Sequence, residues 1–141
     1  MVIAGASGLI GTALCASYRY AGYEVRRLVR REPSSGDERR WDPADPDPSL
    51  VDGADVLVNL AGSPLTGRWT AARTEAIRAS RIGTAGALAT MAVGAPTPPS
   101  VLLSASGIRW YGIDRGDEEL TEHSDPGPYE GVLPTTAQDW E

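Results

Sequence analysis

Lysine is absent from this 141-residue chain, so all thirteen of its basic residues are arginine. Cysteine and histidine occur once each. The lone Cys15 has no partner for an internal disulfide, and its place in a predicted helix reads as a small buried side chain rather than a nucleophile. The lone His123 sits in the acidic stretch Glu119–Asp125 with no second imidazole and no nearby thiol, so the stretch reads as a solvated loop and no metal site is expected. Ser106 is likewise left without a histidine partner, which argues against Ser–His–acid hydrolysis. Long apolar runs are missing too. Val56–Val58 and Val101–Leu103 fall far short of the ~20 residues that cross a bilayer, and Met1–Ala4 shows no basic region ahead of a long apolar segment. No membrane partner is expected, and cytoplasmic residence is the natural expectation.

What is present fits one soluble domain over residues 1–141, with 41% hydrophobic residues and a net charge of −6. The charge is uneven. Residues 1–40 carry seven arginines against four acids, whereas residues 114–141 carry nine acids against Arg115 alone. An acidic tail with Asp117, Glu118, Glu119 and Glu122 repels nucleic acid, so the early arginines read as a local anion site.

Periodicity places the elements. Met1–Ala4 is a short strand leading into glycines, and Leu9, Ile10, Ala13, Leu14 and Tyr18 recur at helical spacing as far as Gly22. Glu24–Arg30 reads as a second strand stopped by Pro33-Ser34-Ser35-Gly36, with a short strand at Arg39–Trp41 and a brief helix at Pro48–Val51. Asp55–Leu60 is a buried strand. Thr70 to about Val93 reads as a long helix with a weak point at Gly83 and Gly86; Ser100–Ser104 is a further strand, and a last helix starts near Pro134. Alternating strands and helices predict a doubly wound, three-layer α/β/α Rossmann-type parallel sheet of four or five strands.

The first connection carries the chemistry. In Gly5-Ala6-Ser7-Gly8-Leu9-Ile10-Gly11, the first glycine permits the tight turn off the strand and the second lets a pyrophosphate approach bare backbone. The third lets the helix pack against the sheet. Unpaired amides at the start of that helix, at the positive end of its dipole, complete an anion site, and Ser7 adds a hydroxyl. This context, rather than the glycine spacing alone, points to a dinucleotide. The end of the second strand then selects which one. An acid there would accept from a ribose 2′-hydroxyl; this chain has Arg30 and Arg31, whose planar forks suit a 2′-phosphate, so NADP(H) is preferred over NAD(H).

These residues, with Asn59-Leu60-Ala61-Gly62, Arg68-Trp69-Thr70, Ser80-Arg81, Ser104-Ala105-Ser106, Trp110-Tyr111-Gly112 and Trp140-Glu141, resemble the extended or atypical branch of the short-chain dehydrogenase/reductase superfamily. The likeness runs along the whole chain and is strongest to the nucleoside-diphosphate-sugar epimerase-like proteins. The resemblance implies that Asn59, Leu60, Ala61 and Gly62 line the cofactor, that Arg68 reaches a cofactor phosphate, and that Ser104 lies on the cofactor side. It also places Ser106 at the superfamily's catalytic serine. It implies a reductase-like or epimerase-like chemistry on a sugar nucleotide or another small carbonyl or alcohol.

Two departures bear on mechanism. The superfamily uses a Tyr as acid/base and a Lys four residues later that lowers its pKa; counting back from Trp140-Glu141, that Tyr falls near Val132 or Leu133. A Tyr at its ordinary pKa of ~10 is a poor base at neutral pH. Tyr129 lies a few residues early, and Tyr111, with Arg115 four residues on, is the substitute held as a catalytic candidate beside Ser106. Relatives also run to roughly twice this size, so the chain reads as the front half, lacking the substrate lobe. Uncovered sheet surface is then expected to favour self-association. The rival reading is a binding or redox-sensing module that holds the cofactor without turnover; a methyltransferase-like nucleoside binder is disfavoured by Arg30.

Overall fold

In a computed structural model describing residues 1–141, the chain runs β1 (Val2–Ala4), α1 (Leu9–Tyr20), β2 (Arg26–Val29), β3 (Glu38–Arg40) and β4 (Val56–Asn59). It continues with α2 (Ala71–Gly94), β5 (Val101–Ser104) and α3 (Val132–Trp140). Single 3-10 turns occupy Pro48–Leu50 and Ile108–Tyr111. The five strands form one parallel sheet in the order β3-β2-β1-β4-β5. The chain therefore starts at the centre, winds to one edge, and returns to build the other. Where the order reverses, between β1 and β4, a crevice opens at the carboxyl ends of the strands.

Strand alternation divides the core between the two faces of the sheet. Val2, Ala4, Leu28 and Leu57 face one way and pack with Ala87, Leu88 and Met91 of α2. Ile3 and Val58 face the other way and pack with Cys15 of α1 and with Val25. Helices thus cover both faces, giving three layers. Cys15 is a buried free thiol. No helix is long and apolar enough to cross a membrane.

Two elements differ from the sequence expectation. The long helix runs unbroken through Gly83 and Gly86. Ile77, Thr84, Leu88 and Met91 form one buried stripe along it, and that packing outweighs the propensity cost of roughly 1 kcal/mol per glycine. Thr70 caps its start, its hydroxyl accepting from the Arg73 N–H at 3.2 Å. The second strand is shorter than Glu24–Arg30, so Arg30 lies just past its end. The edge strand β5 is only partly covered: Val101, Leu102 and Leu103 are 43%, 39% and 52% exposed.

Candidate functional site

The glycine turn sits at the mouth of the crevice, and the three glycines answer to different neighbours. Gly5 has φ +81°, and a Cβ there would stand 2.4 Å from the Leu60 carbonyl carbon. A Cβ on Gly11 would meet the Gly5 oxygen at 2.3 Å. Both positions are closed by the protein's own backbone. Gly8 is not: its nearest neighbour would be the Gly5 oxygen at 3.4 Å, close to ordinary contact. Helix α1 has no side-chain cap at Gly8, and the amides of Leu9, Ile10 and Gly11 have no backbone acceptor. Leu9 and Ile10 lie exposed beside Ser7, whereas Gly11 is buried against the backbone of Gly5 and Ala6.

Between this turn, the end of β2 and the loop after β4 lies a cleft of about 510 Å³ lined by Gly5, Ser7, Gly8, Arg30, Arg31, Leu60, Ala61 and Gly62, among others. The arginines at its β2 side are not equivalent. Arg31 is held in a two-pronged ion pair by Glu38, with N···O distances of 2.6 and 2.8 Å. Arg27 pairs with Asp37 through its Nε at 2.7 Å and also approaches Glu38 at 3.4 Å. Arg26 donates to the Asp52 carbonyl at 3.1 Å. Arg30 makes no hydrogen bond or ion pair within the chain and is exposed. Glu38 is itself 2% exposed. The Arg31 guanidinium, followed by the Ser34 N–H, stabilises its carboxylate and holds its pKa at about 2. Asp37 is pulled well below the usual carboxylate range by Arg27 and by the Ser35 hydroxyl.

The loop after β4 is shaped by Asn59, which is fully buried. Its Nδ2 donates to the Ser104 hydroxyl at 3.0 Å, tying β4 to β5, and its Oδ1 accepts from the Ala61 N–H at 3.1 Å. Asn59 and Ser104 thus fold the Leu60–Gly62 segment that lines the cleft; neither side chain lines it. Arg68 lies in the exposed stretch leading into α2, outside the cleft.

On the other side of Leu60–Gly62 a second cavity of about 310 Å³ opens, enclosed by Arg81 of α2, Ala105–Arg109 after β5, and Leu133, Thr136, Ala137 and Trp140 of α3. Ser106 borders it, with its hydroxyl hydrogen-bonded to the Glu141 carboxylate. The proposed pairing of Tyr111 with Arg115 does not form. Tyr111 lies in a 3-10 turn, where residues four apart do not share a face as they do in an α-helix. Its hydroxyl donates to the Thr121 carbonyl at 3.0 Å and its ring packs edge-on against Trp110. Arg115 is gripped by Glu118 through two 2.7 Å contacts. The Tyr129 hydroxyl bonds to the Asp139 carboxylate. Neither Val132 nor Leu133, where the resemblance expects a Tyr, can transfer a proton, and α3 places Leu133, Thr136 and Ala137 against the cavity.

Sequence reasoning missed Glu38 and Thr84 of the first cleft, because a lone carboxylate amid arginines and a threonine inside a helix carry no local signature. Trp41, read as the end of a short strand, is buried and also lines this cleft. Arg81 and Trp140 were quoted only as parts of motifs, and nothing local announces that the guanidinium lies over the indole ring at 5.6 Å.

A parallel sheet with a switch-point crevice, a glycine turn and free helix amides defines a Rossmann-type nucleotide-binding architecture. Residues 1–131 match the NAD dependent epimerase/dehydratase family, and the chain belongs to that family. It is 36% identical over 144 residues to an epimerase family protein of Mycobacterium bovis, covering 100% of this chain and 46% of that protein. Among solved structures it is similar to a nucleoside-diphosphate sugar epimerase from Corynebacterium glutamicum, with 41% identity and a TM-score of 0.81 over 99% of this chain and 28% of that one. It is also similar to the human epimerase family protein SDR39U1, solved with NADPH, with 27% identity and a TM-score of 0.85 over 99% of this chain and 46% of that one. The chain thus spans about half the length of the curated relatives it matches.

Proposed function

We propose that this chain is the NADP(H)-binding domain of an epimerase-like oxidoreductase, acting on a sugar nucleotide or another small carbonyl or alcohol. The observation that carries the cofactor reading is Arg30. It stands at the end of β2, on the wall of the glycine-turn cleft, as a guanidinium with no partner in the chain, whereas Arg31 and Arg27 are spent on Glu38 and Asp37. A free fork at that place suits a 2′-phosphate. Gly8 supports the same reading, because the protein's own contacts do not require glycine there and a closely approaching pyrophosphate does. The Leu9 and Ile10 amides would hold that pyrophosphate and Leu60–Gly62 the segment between the two cavities. The bound dinucleotide would give or accept a hydride. The NADPH named with the human relative accords with this choice.

A second reading, a module that holds the cofactor without turnover, is favoured by Leu133 and Ala137. No phenol and no amine lines the cavity of Arg81, Leu133 and Ala137; Tyr111 shares only the neighbouring pocket with Ser106, its hydroxyl donating to the Thr121 carbonyl, and Ser106 alone orients a substrate oxygen without moving its proton. One experiment separates the readings. Titrating the purified chain with NADPH and NADH is expected to show tighter NADPH binding, and Arg30→Ala is expected to weaken NADPH by about tenfold while leaving NADH nearly unchanged. Tighter NADH binding sinks the cofactor assignment. An NADPH-oxidation screen over sugar nucleotides and small carbonyls then tests turnover: activity lost in Ser106→Ala supports the oxidoreductase, and binding without any activity supports the module.

A further inference from the structure

The cavity beyond Leu60–Gly62 has an electrostatic character that the cofactor reading does not use. Its two charged wall residues, Arg81 and Arg109, are both cationic, the Glu141 carboxylate touches it only through the Ser106 hydroxyl, and neither arginine has a carboxylate partner anywhere in the chain. Most other arginines here do find an acid, as Arg19, Arg27, Arg31, Arg40, Arg78 and Arg115 show. Arg81 is also fixed in place. Its Nη1 donates to the Ser63 and Ile77 carbonyls, each at 3.2 Å, its guanidinium lies over Trp140, and it lies so close to Gly62 that a Cβ there would meet it at 3.3 Å. Nη2 and Nε have no acceptor within the chain. Burial lowers the pKa of this group, the mark of a charge held partly out of water. A half-buried cation without a counter-charge is costly unless a ligand supplies one. The indole N–H of Trp140 is buried and also lacks a partner.

We propose that Arg81, seconded by Arg109, forms an oxyanion subsite that holds the carboxylate of a small substrate beside Ser106. A planar guanidinium with two free donors matches a carboxylate geometrically. The rest of the wall, including Leu60, Leu133 and Ala137, is apolar and suits a short carbon skeleton. The volume, about 310 Å³, admits a small molecule. This inference rests on the cofactor reading only in assigning the neighbouring cleft to the dinucleotide, and it narrows the substrate to an acid.

The test uses lactate, its neutral isostere lactamide, and inorganic phosphate, each titrated calorimetrically into the full chain with and without saturating NADPH. Lactate is expected to bind at least about tenfold more tightly than lactamide, and Arg81→Gln to remove about tenfold of that affinity while changing NADPH affinity by less than about threefold. Arg109→Gln, on an exposed side chain, is expected to cost lactate about threefold and serves as the probe if Arg81→Gln does not fold. Equal binding of lactate and lactamide overturns the subsite, as does no lactate binding at all. Phosphate binding as well as lactate overturns the carboxylate class. If Arg81→Gln weakens NADPH more than lactate, the guanidinium serves the cofactor and the proposal fails. Lactate binding by a chain that ignores NADPH would leave the subsite standing and sink the cofactor reading.

Discussion

Two cavities meet at Leu60–Gly62, and they are built in opposite ways. The glycine-turn cleft is built around backbone, with two glycines closed by their own neighbours, three unpaired amides and a loop folded by Asn59, and the arginines of β2 stand at its edge. The cavity beside Ser106 is made of side chains from three separated segments, α2, the stretch after β5, and α3. The first sits over the well-covered centre of the sheet, where Ile3, Leu57 and Val2 are fully buried. The second lies beside β5, whose Val101 and Leu103 remain open. Backbone geometry over a packed centre fixes a cofactor-shaped site tightly, whereas a site assembled from distant side chains is free to change its chemistry. In this chain the glycine turn stands intact while Val132 and Leu133 occupy the positions where the resemblance expects a Tyr.

The sharpest break of this comparison is at the turn itself. Gly5→Ala forces a Cβ into the Leu60 carbonyl at a φ of +81°, combining backbone strain with overpacking. It is expected to cost about 3–5 kcal/mol in chemical denaturation, enough to unfold much of the population. Gly8→Ala, three residues on, is expected to change stability by less than about 1 kcal/mol and to weaken NADPH instead. Equal destabilisation by the two would mean that Gly8 also serves the fold, and the argument from its open surroundings would lapse.

The contrast between centre and edge is tested next. Met91 is fully buried between α2 and the sheet, and Met91→Ala is expected to lose about 2–5 kcal/mol. Leu103→Ala on β5 is expected to lose less than about 1 kcal/mol, because the side chain is already half in water. Comparable losses would show that β5 is buried in solution against something, such as another copy of the chain.

The same division governs what the sequence discloses. The strand–turn–helix opening, the order of elements and the anion site at Gly5–Gly11 are local patterns, and a local pattern is visible in one dimension. The continuity of α2 through Gly83 and Gly86 was not, because packing of Thr84, Leu88 and Met91 against the sheet decides it. Nor was the sorting of the arginines. Arg26, Arg27, Arg30 and Arg31 look alike in sequence, and only the approach of Asp37 and Glu38 from the neighbouring strand leaves Arg30 free. The cavity beside Ser106 was least legible: Arg81 and Leu133 are 52 residues apart and share no periodicity, and Tyr111 was paired with Arg115 on a helical spacing that a 3-10 turn does not provide.

The carboxylates that sort the arginines also give the first cleft a pH dependence. The folded-state pKa of Glu38, about 2, lies below its ordinary value of 4.5, and that of Asp37 is lowered as well. A depressed carboxylate pKa means that the folded state binds protons less readily than the unfolded one. The stability these groups contribute is therefore fully present above pH 4.5 and is lost as the pH falls toward 2. Glu38→Gln is expected to flatten that part of the stability–pH curve, measured by denaturation from pH 6 downward. Releasing Arg31 in Glu38→Gln also puts a second free guanidinium next to Arg30. If NADPH affinity at neutral pH then rises, Arg31 was withheld from the phosphate by its ion pair; if it falls, Glu38 acts by holding the β2 end in place for Arg30. In either case the effect is confined to the glycine-turn cleft. A matching change in ligand binding at the Ser106 cavity would mean that the two sites are coupled through Leu60–Gly62 and are not separately built.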